Sequence, residues 1–363
     1  MLHRSQLTLL PTLATLGALL IGGCDSDSAV SPQQPEPAKA MADAPGINIA
    51  LFKDGAFIQP PEIVDCETTA GTKTTCYKLV TAGTPGTRAP GPFCPRTIND
   101  SAETAGGWFS KDGEGELVDL TGNFIANLST YYDDPNWKLY DPDSGKVRYT
   151  ATKEACFGAA RPDVEAQYKQ NCIECEMAYL EEDFSLTYLI PTTPIPANKN
   201  RIERVRTAGI ALDGAELAGP APVNDILGSY TIAAFDDCGG HINAHQGYHY
   251  HAVTGCTATD VNHDGYAPLI GYAPDGYAIY AMRDAQGNEA ESLDECRGTS
   301  DPIRGYHYRA ASPSENMIIG CLHGETVRPA GMAGPPPGGP PPGGRPPFGA
   351  GPPPGAPDNA PSH

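Results

Sequence analysis

Seven of the nine histidines in this chain fall between positions 241 and 323: His241, His245, His249, His251, His263, His307 and His323. Imidazole is the commonest metal ligand and the usual general acid or base near neutral pH. In Tyr248-His249-Tyr250-His251 the two residue types alternate. Alternate side chains of a strand share a face, so His249 and His251 point one way and the tyrosines the other. Same-face neighbours lie about 7 Å apart at Cα, and imidazoles at that spacing reach one metal at about 2.0–2.1 Å. His307 holds the matching place in a second Gly-Tyr-His-Tyr segment, and His241 follows a Cys-Gly-Gly turn. The expected ligand set is therefore His241, His249, His251 and His307, and the metals that suit it are copper and zinc. The competing reading is architectural: histidine and tyrosine build a hydrogen-bonded polar layer, and Tyr248, Tyr250, Tyr306 and Tyr308 are buried with their hydroxyls paired.

Other motifs are weaker. His241 and His245 have the outer spacing of a helical zinc motif, but the glutamate after the first histidine is absent and the glycine-rich start opposes a helix. Asp260, Asn262, Asp264 and Gly265 resemble the start of a calcium loop. The twelfth position is Gly271 rather than a bidentate glutamate, so a turn is the better reading and structural calcium the weaker one. Cys172-Ile-Glu-Cys175 has no second CxxC and no βαβ context, which favours structural disulfides to Cys94 or Cys156. No G-x-S-x-G elbow, phosphate loop or dinucleotide fingerprint occurs.

The elements that must position the histidines come from a duplication. The first copy runs GIALDG (209–214), DDCGG (236–240) and GYHYHAVTGC (247–256). The second runs GYAPDG (271–276), LDECRG (293–298), GYHYRA (305–310) and IIGC (318–321). Cys238 to Cys296 and Tyr248 to Tyr306 are both offsets of 58, and the Asp-Gly pairs are offset by 62. Two copies of one β unit are implied, about 205–256 and 267–321, packed about a pseudo-two-fold axis. The simplest disulfides are Cys238–Cys256 and Cys296–Cys321, one per copy; pairing across the copies is the alternative. Asp213-Gly214 and Asp275-Gly276 read as tight turns, with Asp275 also able to turn its carboxylate toward a site.

Elsewhere, CYKLV at 76, KVRYT at 146, SLTYLI at 185, SYTIAAF at 229 and YAIYAM at 277 read as strands between turn signals. One short helix is expected near 162–180, and 191–200 as a connector. The fold class is mostly β, in one disulfide-stapled domain.

The ends differ in kind from the middle. His3 and Arg4 precede an apolar run, 7–22, too short for a membrane span and laid out as a signal peptide. It closes in Leu20-Ile-Gly-Gly-Cys24, which resembles the lipobox of bacterial lipoproteins. That resemblance implies a signal peptide over 1–23, lipid on Cys24, and the lipid bilayer as a partner. Residues 24–45 read as a disordered tether and 329–363 as a disordered Pro/Gly tail. Ten cysteines remain after Cys24, an even number that fits an exported, disulfide-bonded chain. The repeat leaves the pairing of Cys66, Cys76, Cys94, Cys156, Cys172 and Cys175 open. The net charge of −20 argues against nucleic acid.

DDCGGH, GYHYHA, PLIGYAPDGYAIY, LDEC, GYHYRA and IIGC, in that order, resemble the YHYH family of exported bacterial proteins. The resemblance is dense over about 200–330 and looser upstream to Cys94, giving a YHYH-like domain over 94–328 behind an N-terminal β segment, 46–93. Two departures stand out: Gly298-Thr299 replaces a histidine, and Arg309 replaces the last histidine of the second motif. Asp275 and Arg309 are thus candidates for supporting roles around a metal. The resemblance implies location and fold and carries no settled activity. Three functions compete: an envelope-anchored module that binds copper or zinc; a metal-dependent hydrolytic enzyme with Asp275 as base; and a non-catalytic structural or adhesive module.

Overall fold

The duplication is written directly into the central sheet. The computed structural model describes residues 45–327, apart from 161–162 and 202–204. The expected signal peptide, Cys24 and the Pro/Gly tail lie outside the described residues. Eight strands form the sheet: β1 (Thr207–Ala211), β2 (Glu216–Ala218), β3 (Gly240–Asn243), β4 (Gly247–Tyr250), β5 (Leu269–Tyr272), β6 (Ala278–Tyr280), β7 (Gly298–Asp301) and β8 (Gly305–Arg309). Their order is β3-β4-β2-β1-β5-β6-β8-β7. Read outward from the centre, each copy contributes its first, second, fourth and third strand. The pairing types match too: antiparallel, parallel, antiparallel on either side.

The copies meet at β1 and β5, which pair antiparallel with Ile210 opposite Tyr272 and Ala211 opposite Gly271. The offset of 62 makes Ile210 and Tyr272 equivalent positions, so the pseudo-two-fold axis passes through that pair. Gly209 and Gly271 flank it, and a Cβ on either would meet a backbone carbonyl of the other strand at 2.4 and 2.2 Å. Glycine is what lets the two copies join.

Each Asp-Gly pair turns its hairpin with glycine at positive φ, +88° at Gly214 and +87° at Gly276. Both aspartates are buried behind the turn. Tyr250 donates to Asp213 Oδ2 at 2.6 Å, and Tyr308 donates to Asp275 Oδ2 at 2.5 Å. At a second turn in each copy, Tyr248 donates to Asp236 at 2.8 Å and Tyr306 to Asp294 at 2.8 Å. The tyrosines of both GYHY strands thus anchor the turns of their own copy. Tyr248, Tyr250 and Tyr308 are buried and Tyr306 partly so. Asp275 also accepts from Gly324 N at 2.9 Å and is fully buried. It is a turn anchor in the second copy, not a base at the histidines. Tyr308→Phe strips this buried carboxylate of one partner and should cost about 1–3 kcal/mol. Urea unfolding checks this; no loss would contradict the anchoring role.

Among the described residues five disulfides staple the chain: Cys66–Cys76, Cys94–Cys172, Cys156–Cys175, Cys238–Cys256 and Cys296–Cys321. Closing loops that span 10 to 78 residues is worth about 3 to 4.5 kcal/mol each in lost unfolded-state entropy. The last two bonds lie one in each copy. Cys94–Cys172 and Cys156–Cys175 cross-link the segment upstream of the sheet to itself.

Some local expectations shift. The helix expected near 162–180 lies earlier, at Lys153–Ala159, where Thr152 caps Ala155 N at 3.2 Å. Among the described residues of 162–180 only the 3₁₀ turns Ala166–Tyr168 and Met177–Tyr179 are helical. Gln170 takes positive φ, and the two disulfides hold Cys172 and Cys175 in an extended run whose Cys172–Ile173 pairs with Ile232–Ala233. The stretch 146–150 makes isolated bridges instead of a strand. Pro196–Arg201, expected as connector, is a strand against Leu322–Gly324. The hairpin Glu62–Glu67 and Lys73–Thr81 takes its third strand from Leu186–Pro191, so the N-terminal segment shares a sheet with the later chain.

Candidate metal centre

β3 and β4 pair antiparallel with His241 directly opposite His249. Directly opposed residues share a face, and His251 follows two places on from His249, one residue past the end of β4. One potential ligand atom from each of His241, His249 and His251 lies within 4.8 Å of the others. Tetrahedral ligands at about 2.0–2.1 Å stand roughly 3.4 Å apart, so an ion held by these three would draw the rings together slightly.

The second nitrogen of two of the rings is spoken for. His249 Nδ1 lies 3.1 Å from the Gly247 carbonyl, and His251 Nδ1 lies 2.9 Å from the Gly219 carbonyl. The backbone of Ala233 faces His241 and favours its proton, the weakest of the influences on that ring. A carbonyl only accepts, so Nδ1 of His249 and of His251 carries the proton. Nε2 of His249 and of His251 keeps its lone pair. Ligating histidines are held this way, by a partner that fixes tautomer and ring angle.

Burial lowers all three pKa values, His251 to about 4 by desolvation alone; repulsion from the neighbouring rings adds to burial at His249, taken to about 3, and at His241, taken well below 6.5. The sign follows. Unfolded, these positions take up protons below about pH 6.5; folded, they resist. Their contribution to stability is full above that value and is lost as pH falls toward 4 and then 3. In the metal-free protein the imidazole NMR signals of His249 and His251 should therefore stay neutral from pH 8 to pH 5. Protonation of either within that range would contradict the geometry.

Phe235 packs on His241 and His251 with ring centroids at 5.1 and 5.8 Å. On its other side the trio opens into a cavity of about 580 Å³. Its walls are largely apolar, including Ile173, Ala218, Ile226 and Ile242, with Arg206, Asn243 and Gln246 among the polar residues. Asn243 Oδ1 accepts from His245 N and Gln246 N, both at 2.8 Å. That fixes the amide so that Nδ2 faces Gln246 Oε1 at 2.8 Å and His249 Nε2 at 3.4 Å. Gln246 Nε2 in turn reaches Glu216 Oε1 at 3.4 Å. Glu216 is buried, its pKa raised by that burial, and sits beside His249 in register.

The second copy has the same frame and a different filling. His307 Nδ1 keeps its bond to Gly305 O at 2.9 Å. Thr299 stands opposite it where the first copy has His241. Arg309 replaces His251 and donates to the carbonyls of Ala281 at 2.8 Å and Met282 at 2.7 Å. Asp301 and Arg304 occupy the places of Asn243 and Gln246. Tyr266 fills the remaining space: its hydroxyl meets His307 Nε2 at 2.6 Å, and Arg304 lies over its ring at 3.8 Å. His307 thus stands outside the trio. It is five strands from His249, roughly 24 Å at normal strand spacing, and its lone pair is taken. Arg309, at the same distance, supports this second filling and not the trio.

The remaining histidines have other settings. His245 lines the cavity from an exposed turn. His263 is exposed beside Asp260. His323 stacks on Tyr306 at 3.9 Å. In the 260–265 loop the Asp264 carboxylate bonds Arg304 and Tyr266 N, and Asp260 bonds His263 N, so the loop is built as turns. Glu295, Cys296 and Cys321 also cluster, but the two sulfurs are bonded to each other.

Asn243, Gln246, Arg206 and Tyr266 were invisible as site residues from motif spacing. Aligning the copies offers a signal for the first two: where Asn243 and Gln246 stand in one, Asp301 and Arg304 stand in the other. Glu216, facing Ala278, is marked in the same way.

Residues 187–317 match the family described as YHYH protein, a span that holds all eight strands. The match starts at 187, so the looser upstream resemblance from Cys94 lies outside it. No curated protein and no solved structure matches the chain.

Proposed function

We propose that this is an exported, lipid-anchored envelope protein whose YHYH domain binds one zinc or copper ion through His241, His249 and His251. One observation carries the metal reading: three neutral imidazoles converge, and two of them, His249 and His251, spend Nδ1 on a backbone carbonyl. A purely architectural layer would pair those lone pairs with close donors, as Tyr266 does at His307 at 2.6 Å, whereas Asn243 Nδ2 stands off at 3.4 Å from His249 Nε2. Titration of the chelator-treated, tag-free full-length protein with zinc tests the reading. Saturation at one equivalent, absent in the His249→Ala/His251→Ala variant, is expected; equal uptake by both proteins would defeat it.

The second reading is metal-dependent hydrolysis. Its support is that only three protein ligands converge and the fourth side faces a cavity, the arrangement that leaves room for a metal-bound water. The anchor reading rests on the sequence around Cys24; among the described residues no helix is long and apolar enough to cross a membrane. Mass spectrometry of the mature N-terminus tests it: lipidated Cys24 is expected, and an unmodified terminus elsewhere would overturn it.

A further inference from the structure

We infer that the cavity above the histidine trio binds a small organic carboxylate with an apolar body, its oxygen completing the metal's coordination and accepting from Asn243 Nδ2. The inference rests on the metal reading and adds the ligand class.

The first argument is charge. Three neutral imidazoles leave a divalent ion with its full positive charge in a largely apolar, buried place, and an uncompensated buried charge is costly. The nearby carboxylates are engaged elsewhere. Glu174 pairs with Arg96 at 2.7 Å. Glu216 accepts from Thr207 Oγ1 at 2.8 Å and from Gln246, and lies outside the cavity lining. The balancing anion must come from outside the chain.

The second argument is shape. A cavity of about 580 Å³ falls within the roughly 300–1,000 Å³ of small-molecule sites, and so does its pattern of apolar walls with a few placed polar groups. A hydroxide or chloride would leave most of it empty. Ile173, Ala218, Ala221, Pro222 and Ile226 suit a hydrocarbon or aromatic body. Arg206, exposed and making no ion pair among the described residues, adds positive charge to the lining.

The third argument is Asn243. Its carbonyl oxygen is fixed by two backbone N–H groups, so its amide N–H faces the lone-pair side of His249. That donor suits an oxygen bound at the metal. The second copy supplies the contrast. There the same turn is made by Asp301, whose Oδ1 accepts from Ile303 N and Arg304 N, both at 2.8 Å. An aspartate therefore fits the turn; in the first copy it would place a negative charge where the ligand's belongs.

The test uses the full-length protein loaded with cobalt(II), whose visible spectrum reports the coordination shell. Benzoate should give a saturable spectral change, acetate the same change at roughly tenfold or higher concentration, and benzyl alcohol none. Arg206→Gln should weaken benzoate a few-fold, as expected for an exposed charge. Asn243→Asp should hold cobalt more tightly and lose at least tenfold in benzoate affinity. Cobalt bound with a spectrum indifferent to benzoate overturns the ligand inference alone. Equal affinity for acetate and benzoate overturns the apolar body. Failure to bind cobalt overturns the metal reading and this inference with it.

Discussion

Replacing His251 with alanine should lower zinc or copper affinity by more than about a hundredfold, while His307→Ala leaves stoichiometry and affinity unchanged. Loss of a partner that merely orients a ligating histidine typically costs 10- to 100-fold, and losing a ligand outright should cost more. His251 is one of three converging imidazoles, with Nδ1 held by Gly219 O at 2.9 Å. His307 lies in the other copy, bonded through Nε2 to Tyr266. Competition against a chromophoric chelator measures both affinities. The pair of variants matters because the sequence places His307 in the ligand set and the sheet takes it out. Equal losses in the two variants would mean that the histidines act through folding, not through ligation.

Gly271→Ala should destabilise the protein by about 3 kcal/mol or more. Its Cβ would sit 2.2 Å from Ile210 O and 2.9 Å from Ala211 Cα. Those are backbone atoms of the strand that joins the copies, so no side chain can swing aside. Overpacking usually costs about 1–3 kcal/mol, and here the displaced pair is the only ladder between the two halves of the sheet. Gly209→Ala should behave alike, since Tyr272 O stands 2.4 Å from its Cβ. Gly228→Ala is the control: nothing lies within 4 Å, and it should be neutral or stabilising by up to about 1 kcal/mol. Denaturant unfolding of the three variants gives the comparison. A Gly271→Ala midpoint no lower than that of Gly228→Ala would contradict the packing at the pseudo-axis.

The duplication was the most legible feature because it is carried by anchors whose order survives without any structure. The Asp-Gly turns, the cysteines and the GYHY strands recur at near-constant offset, and each proves to hold a matching place in its own copy. The alternation in Tyr248 to His251 foretold which side chains share a face. What it left hidden was distance across the sheet. Equivalent residues of two copies can meet at a pseudo-axis or stand far from it, and sequence offset is silent on which. Here Ile210 and Tyr272 meet on the axis, and His249 and His307 stand near opposite ends of the strand order. Asp275 looked available because an Asp-Gly turn is normally at the surface. Its burial depends on Tyr308 and Gly324, which come from distant parts of the chain. The helix expected near 162–180 failed for a related reason: long-range bonds from Cys94 and Cys156 override local propensity there.

The most direct test of the metal centre is an anomalous-scattering map from crystals of the protein grown with zinc. The predicted result is one strong peak about 2.1 Å from a ring nitrogen of each of His241, His249 and His251, with no comparable peak at His307. No peak at the trio, under conditions where zinc is bound elsewhere on the same molecule, would contradict the account.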